Sequence, residues 1–199
     1  MGRATSPESL AICSRPMTPD QARGLRAELE AVSKQSRALV FGLSPTALAK
    51  RPPSGGWSVA ENLQHLLLTA DAMLPLADAA VAELEAESRK AKNPSGVGLL
   101  GWLLLKALEP PARMKSKTAK PFEPLSIGDP LTLLARLETA NQKLDRLIAR
   151  AEGLATSTVK VVSPFNAKVT YNLYAAYRIM LCHTRRHLWQ AEQVKIGFH

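Results

Sequence analysis

The sequence predicts an all-α fold, with four helices packed as a bundle and a long crossover between the second and third of them. Aromatic residues make up only 5% of the 199 residues, while Ala and Leu abound, and this composition favours helices over strands. Four stretches repeat apolar residues at three- and four-residue intervals, the period of one helix face. Since helices with one apolar face bury it against each other, a four-helix bundle is the simplest packing.

The first helix is predicted to begin after Thr18, because Thr18 and Gln21 form a capping box and Pro19 occupies the first helical position. Its predicted inner face carries Leu25, Leu29, Val32, Ser36, Leu39 and Leu43. The pair Ser44-Pro45 is expected to end or interrupt this helix, since the residue before a proline avoids the helical region.

The second helix follows the turn sequence RPPSGG at residues 51–56 and starts with a second capping box, Ser58 and Glu61. Pro75 lies inside this helix and is expected to kink it, because proline removes one hydrogen bond and crowds the preceding turn. The predicted inner face consists of Leu63, Leu66, Ala70, Met73, Ala77, Ala80 and Leu84.

Residues 89–128 form the predicted crossover, a basic and proline-rich segment in which only Val97–Leu108 is expected to be helical. The third helix starts at a cap, Asp129, followed by Pro130, and stops at Gly153. Its inner face is predicted from Leu131, Leu134, Leu137, Leu144 and Ile148. Residues 158–162 and 167–170 are expected to form short extended pairs, and a last helix to run from about Asn172 to Lys195.

The chain is expected to fold as one domain over residues 17–199, preceded by a flexible tail at residues 1–16. No secretory signal is recognisable at the amino terminus. The longest apolar run, Val97–Leu105, is far shorter than the roughly 20 residues that span a bilayer. Cys13 and Cys182 have neither redox nor metal spacing. We therefore expect a soluble cytoplasmic protein with no membrane partner.

The net charge of +9 is concentrated in one part of the chain. Between Arg89 and Lys120 there are eight basic residues and a single acidic one, Glu109, so this segment carries +7. A basic loop can bind nucleic acid without sequence preference, but no nucleic-acid-binding fold is recognisable, and solvated lysines are the favoured interpretation. The apolar run inside the segment suggests either a lid over the bundle or a contact between two copies.

Two of the four histidines, His183 and His187, are four residues apart on the last predicted helix. Their rings therefore lie on adjacent turns of one face and can converge on one metal ion. This pair alone is a weak signal. His65 lies early in the second helix, about 100° from the centre of its apolar stripe. The helical period alone therefore does not predict that His65 faces the core. Three imidazoles and an open position for water are nevertheless a known catalytic zinc arrangement.

Two strings carry a resemblance to a known family. GWSVAENLQHL at residues 56–66 and HTRRHLWQ at residues 183–190 resemble the capped helix and the final HxxxH helix of the DinB/YfiT superfamily. The resemblance implies an antiparallel four-helix bundle and a divalent metal held by His65, His183 and His187. Zinc or nickel would be the leading ions, because imidazole suits both.

Five neighbouring residues have both a structural and a functional interpretation. Glu61 is first a capping residue and second a candidate acid, base or metal-orienting group. Gln190, one turn beyond His187, could bond a metal-bound water or simply be solvated. Trp57 and Trp189 are expected to anchor the core rather than stack on a substrate. Cys182 is expected to be a packed thiol and not a fourth ligand.

Two reaction types fit such a site, and the sequence leaves both open. One is hydrolysis by a metal-bound hydroxide, and the other is transfer of a low-molecular-weight thiol activated on the metal. Both activities occur in the superfamily that the chain resembles. The alternative is a non-catalytic metal-binding or stress-response protein. The expected partners are a small-molecule substrate or thiol cofactor, with a possible homodimer.

Overall fold

The computed structural model describes residues 16–53, 55–87, 95–111, 118–124 and 128–197, and these are mostly helical, as predicted. The helices are α1 (Pro19–Val40), α2 (Pro45–Ala49), α3 (Val59–Glu87), α4 (Gly98–Leu108), α5 (Pro130–Ala151) and α6 (Leu173–Ile196), with a 3-10 turn at Lys120–Phe122. Two short antiparallel strands, β1 (Lys160–Val162) and β2 (Thr170–Asn172), pair Lys160 with Asn172 and Val162 with Thr170.

The helix starts predicted from the sequence are confirmed. The Thr18 hydroxyl accepts a hydrogen bond from the Gln21 amide at 3.2 Å, and the Gln21 side chain accepts one from the Thr18 amide at 3.0 Å. The Asp129 carboxylate caps α5 by accepting from the Thr132 amide at 2.8 Å. Each cap satisfies a backbone donor that the first helical turn leaves free.

The four long helices make the core. Helix α3 packs against both α5 and α6, and α1 packs against the same two helices. The predicted inner faces of α1 and α3 are largely buried, and more than half of the residues of α6 are buried as well. Helix α3 continues through Pro75, whose side chain is exposed. Among the described helices, α3 is the one long and apolar enough to cross a bilayer, with a mean hydropathy of 1.3 over an 18-residue stretch. Half of that stretch is buried inside the protein, as in a core helix.

The structure corrects the sequence prediction at two places. Leu131, predicted on the inner face of α5, is 57% exposed, because the buried face runs through Leu133, Leu137 and Leu144, and Leu131 lies about 200° from Leu133 around a helix. The second extended segment lies at Thr170–Asn172, displaced from the predicted residues 167–170 because Ser163–Val169 fold back as a hydrogen-bonded turn.

The crossover brings α4 onto the outside of α6. Helix α4 contacts α6 and β2, and the rest of the predicted crossover lies partly outside the described residues, at 89–94, 112–117 and 125–127. The predicted amino-terminal tail also lies outside them, apart from Pro16, whose carbonyl accepts from the Ser95 amide at 2.7 Å. Met17, the next residue, is fully buried.

Candidate metal centre

Three histidines from two helices meet at one point. The Ser58 capping box sets the start of α3 and places His65 in its second turn, while His183 and His187 lie on adjacent turns of α6. One ring nitrogen from each of the three lies within 4.8 Å of the others. Since α3 and α6 pack directly against each other, the packing of two helices brings the three rings together.

The rings of His65 and His187 are fixed by hydrogen bonds on the side away from the centre. The Nδ1 atom of His65 donates to the carbonyl oxygen of Phe122 at 2.7 Å. The Nδ1 atom of His187 lies 3.1 Å from Oδ1 of Asn62, and the Asn62 amide nitrogen donates to the Ser58 carbonyl at 2.9 Å, which fixes the orientation of the amide. Both imidazoles therefore carry a proton on Nδ1 and present a bare Nε2 to the centre, as metal-binding histidines commonly do.

The spacing of one pair of ligand nitrogens matches that of two ligands on a tetrahedral metal ion. The Nε2 atoms of His65 and His183 are 3.3 Å apart. Two ligand nitrogens at about 2.05 Å from a tetrahedral zinc ion are also separated by about 3.3 Å. The donor set of three imidazoles leaves a fourth position for water or a substrate.

Burial keeps the three imidazoles uncharged near neutral pH. His65 is 2% exposed and His187 is 8% exposed. Burial lowers the pKa of His65, an effect partly opposed by the bond to Phe122. Burial, reinforced by the charges of His65 and Arg186, lowers the pKa of His183 to about 3, and burial and the neighbouring histidines hold the pKa of His187 well below its ordinary value. Neutral imidazole is the form that binds metal.

Aromatic rings surround the histidines. The ring of Trp57, a half-buried residue just before the capping box, lies 4.8 Å from His65 and is stacked 5.8 Å from His187. On the other side, Phe165 lies 5.7 Å from His183 and 4.6 Å from Phe122. Trp57, predicted to anchor the core, thus lies against two of the three histidines. These rings line the histidine cluster with apolar surface.

Glu61 is engaged in two other interactions. Its backbone amide donates to the Ser58 hydroxyl at 3.1 Å, and its carboxylate accepts from the Ser58 amide at 2.8 Å. The guanidinium group of Arg51 bonds both carboxylate oxygens. Burial raises the pKa of Glu61, but the bonds from Arg51 and Ser58 outweigh it and leave a net lowered pKa. Glu61 is thus a charged capping residue, and its role beside a metal stays a prediction.

The remaining candidates lie around the cluster on α6. Gln190 is half-buried one turn beyond His187, and Trp189 is half-buried beside it. Cys182 is buried, as predicted, with its sulfur 3.4 Å from Oε2 of Glu109, and burial and this carboxylate raise the pKa of its thiol to about 12. Such a thiol is unreactive at neutral pH.

Sequence reasoning missed Asn62 and Phe122, the two partners that orient the rings. Asn62 precedes His65 by three residues, so the helical period places both on one face of α3, and this spacing was a usable signal. Phe122 contributes its backbone carbonyl from 57 residues away, and no pattern of side chains in the sequence indicates such a contact.

A comparison with protein families matches the chain to one of them. The family model described as DinB superfamily matches residues 28–191, a range that includes all three histidines. No curated protein and no solved structure matches the chain.

Proposed function

Since the chain belongs to the DinB superfamily, we propose that it is a cytoplasmic metalloenzyme that binds one divalent ion, zinc or nickel, through His65, His183 and His187. We also propose that α1, α3, α5 and α6 form the antiparallel four-helix bundle that the superfamily resemblance implies. The observation that carries the proposal is the convergence of three neutral imidazoles, those of His65 and His187 buried and that of His183 half-buried, with their ligand atoms within 4.8 Å of one another.

The proposed reaction is transfer of a low-molecular-weight thiol to a small electrophile. A divalent ion at this centre would supply the Lewis acidity that keeps a bound thiol deprotonated at neutral pH. The residues around the centre favour a reaction that needs no separate base. Glu61, the carboxylate nearest in sequence to His65, is occupied by Arg51 and Ser58, and Cys182 is an inert thiol turned towards α4.

The chain's own residues would then orient the reactants. The bonds from His65 to Phe122 and from His187 to Asn62 hold the imidazoles in one tautomer. The Trp57 and Phe165 rings form apolar walls beside the histidines, and they would limit the entry of water that competes with the thiol. In the transfer, a sulfur–carbon bond forms, the leaving group of the electrophile departs as an anion, and the thiol proton passes to solvent.

Metal binding is tested first, on protein purified without an affinity tag. The protein is stripped with chelator, reloaded with zinc or nickel, and its metal content is measured by elemental analysis. We expect one ion per chain, lost in His65→Ala, while Thr184→Ala, a half-buried residue on α6 between the two histidines, retains it. Full metal content and an unchanged melting temperature in His65→Ala would contradict the site.

Activity is tested on the same loaded protein with a small thiol and a chlorobimane electrophile. Thiol transfer that requires metal and is lost in His65→Ala supports the proposal. Metal-dependent hydrolysis of a small ester or amide without thiol transfer would replace it with the hydrolase alternative. Metal binding with neither activity would favour a non-catalytic metal-binding role.

A further inference from the structure

A narrow cavity lies between the four long helices and reaches the histidine cluster. Its lining includes Leu29 of α1, Ala70 of α3, Ala140 of α5, Met180 of α6 and the ring of His183. The cavity has a volume of about 30 Å³, and roughly 10–15 Å³ is enough to hold one water molecule. An unbranched chain of about two or three carbon atoms therefore fits the space, whereas a ring is too wide for it.

The cavity adjoins the candidate metal centre on one side and a polar surface groove on the other. Phe165 lines it beside His183, with the two rings 5.7 Å apart, and Phe165 is 36% exposed. Leu29 and Asn141 line both the cavity and the groove between α1 and α5. The Asn141 side-chain amide donates to the Ser33 hydroxyl at 2.9 Å, which ties α5 to α1 between the two spaces. A ligand in the cavity therefore has one end at the histidines and a wall at the other.

The chemistry of the lining selects an uncharged, apolar occupant. None of the described residues that line the cavity is Asp, Glu, Lys or Arg, and the one titratable group among them is the neutral imidazole of His183. The three other polar side chains already donate hydrogen bonds inside the protein. They are Thr69, which bonds the Leu66 carbonyl at 2.9 Å, Thr184, which bonds the Met180 carbonyl at 2.9 Å, and Asn141, which bonds Ser33. A charged group placed here would lose its hydration with no countercharge to replace it.

We propose that this cavity binds a short unbranched alkyl group of the electrophile and so holds its reactive carbon beside the metal centre. The inference rests on the proposed thiol transfer and deepens it, because it names the class of electrophile: a small alkyl compound with an anionic leaving group. Low-molecular-weight thiols of cells carry charged groups, so the thiol lies outside the cavity. A sulfur–carbon bond forms, the bond from that carbon to the leaving group breaks, the leaving group departs with the bonding electrons, and the thiol proton passes to solvent.

Two alanines leave the space that the alkyl group would fill. Ala70 is half-buried on α3, and Ala140 is 5% exposed on α5. Ala70→Leu adds three carbon atoms to the lining, which is about the size of the proposed occupant, and Ala140→Val adds two. Ala79→Leu is the matched control, since it makes the same change at an exposed position of α3. The melting temperature of each variant is measured first.

The first experiment measures binding without any reaction. Xenon binds in apolar cavities, and its NMR shift is followed while the gas is titrated into the full-length protein. We expect saturable binding to the wild type and to Ala79→Leu. Binding should be lost in Ala70→Leu or, if that variant does not fold, in Ala140→Val.

The second experiment measures the choice of electrophile by the metal-loaded protein with a small thiol. The electrophiles are iodomethane, 1-iodopropane and 1-iodohexane, and each kcat/KM is divided by the rate constant of the uncatalysed reaction. This ratio should rise about fourfold for each methylene between methyl and propyl, and should not rise further for hexyl. Ala70→Leu should lower the propyl ratio at least about tenfold, while Ala79→Leu keeps the wild-type series.

The outcomes separate this inference from the proposed reaction. Xenon binding that is absent from the wild type, or equal in wild type and a folded Ala70→Leu, would overturn the cavity as a site. Metal-dependent transfer whose ratio is independent of chain length would overturn the choice of electrophile. Xenon binding that Ala70→Leu abolishes, without transfer to any electrophile, would reject the proposed thiol transfer and retain the cavity as an apolar binding site beside the histidines.

Discussion

The Nδ1 atom of His187 donates a hydrogen bond to Oδ1 of Asn62 at 3.1 Å, and this bond joins α6 to the first turn of α3. The Asn62 amide nitrogen is in turn bound to the Ser58 carbonyl. The orientation of one imidazole is therefore set by the turn that starts the helix carrying another. Because Ser58 also caps that helix, local helix initiation and the geometry of the histidine cluster depend on the same few residues.

Replacing Asn62 with Leu should weaken metal binding without unfolding the protein. Leu has a similar volume but cannot accept the His187 proton, so the ring loses its fixed tautomer. Loss of a partner that orients a ligand typically costs ten- to hundredfold in metal affinity. The affinity is measured by competition with a chelating dye.

Asn62→Asp is the matched control, because its carboxylate keeps an acceptor for His187. It should retain more of the metal affinity than Asn62→Leu does. Equal affinities in wild type and the Leu variant would show that this bond does not orient the ring.

The metal-free protein should lose stability as the pH falls below about 6.5. Burial lowers the pKa of all three histidines from the ordinary value of 6.5, in His183 to about 3. Between these values the unfolded chain binds more protons than the folded one, so the free energy of unfolding decreases with falling pH. The denaturation midpoint, measured from pH 7 to pH 4, should fall across this window.

His183→Gln separates this effect from the titration of carboxylates. Glutamine does not titrate, so the variant should lose less stability between pH 6.5 and pH 4 than the wild type loses. Parallel pH profiles for the two proteins would argue that the histidine is not held in its neutral form by the fold.

The helical elements were accessible from the sequence because their signals are local. Capping residues at Thr18, Ser58, Asp129 and Asn172 mark the starts of four helices, and each acts within three residues of itself. The 3.6-residue period then identifies most of the core. The period placed Leu131 on the wrong face of α5. A leucine in the first helical turn has few apolar neighbours that fix its phase, so only packing decides which face of the helix it belongs to.

The histidine site depends on tertiary contacts that the period does not encode. The phase of His65 lies away from the apolar stripe of α3, yet the residue is 2% exposed. The start of α3 is buried on nearly all sides, including the polar residues Glu61 and Asn62. The residue motif shared with the superfamily therefore identified the three histidines. The bond from His65 to the Phe122 carbonyl could not be predicted, because it depends on the path of the backbone in the folded chain.

Two glycines in helices should respond oppositely to alanine. Gly101 is buried, and a Cβ there would lie 2.9 Å from the Ala175 Cβ, closer than two carbons can approach. Gly101→Ala should therefore force α4 and α6 apart and cost about 1–3 kcal/mol of stability. Gly24 in α1 has nothing within 4 Å of such an atom, so Gly24→Ala should gain about 0.5–1 kcal/mol.

Urea denaturation measures both changes, and the Gly24 variant controls for the intrinsic helix preference of alanine. A Gly101→Ala protein as stable as Gly24→Ala would mean that α4 does not pack on α6 as closely as the structure describes. The emission of Trp102, whose side chain is half exposed on α4, reports independently on displacement of the helix.

The bond between Arg51 and Glu61 allows the role of the Glu61 carboxylate to be tested. Arg51 is largely exposed, whereas the Glu61 side chain is 4% exposed, so removal of the arginine leaves a buried carboxylate with the Ser58 cap as its remaining described partner. Arg51→Ala should raise the pKa of Glu61, because burial then acts with less opposition. The midpoint of urea denaturation at pH 7 should fall, and Arg51→Lys should restore part of the loss.

Metal content distinguishes a capping carboxylate from one that acts at the centre. If Glu61 serves only the helix start, Arg51→Ala lowers stability but leaves metal stoichiometry and the pH profile of thiol transfer unchanged. A shift of that pH profile in Arg51→Ala, reversed in Arg51→Lys, would instead place the ionisation of Glu61 in the reaction. The two outcomes differ because a cap acts on the backbone of α3, whereas an acid or base must exchange a proton with the reactants.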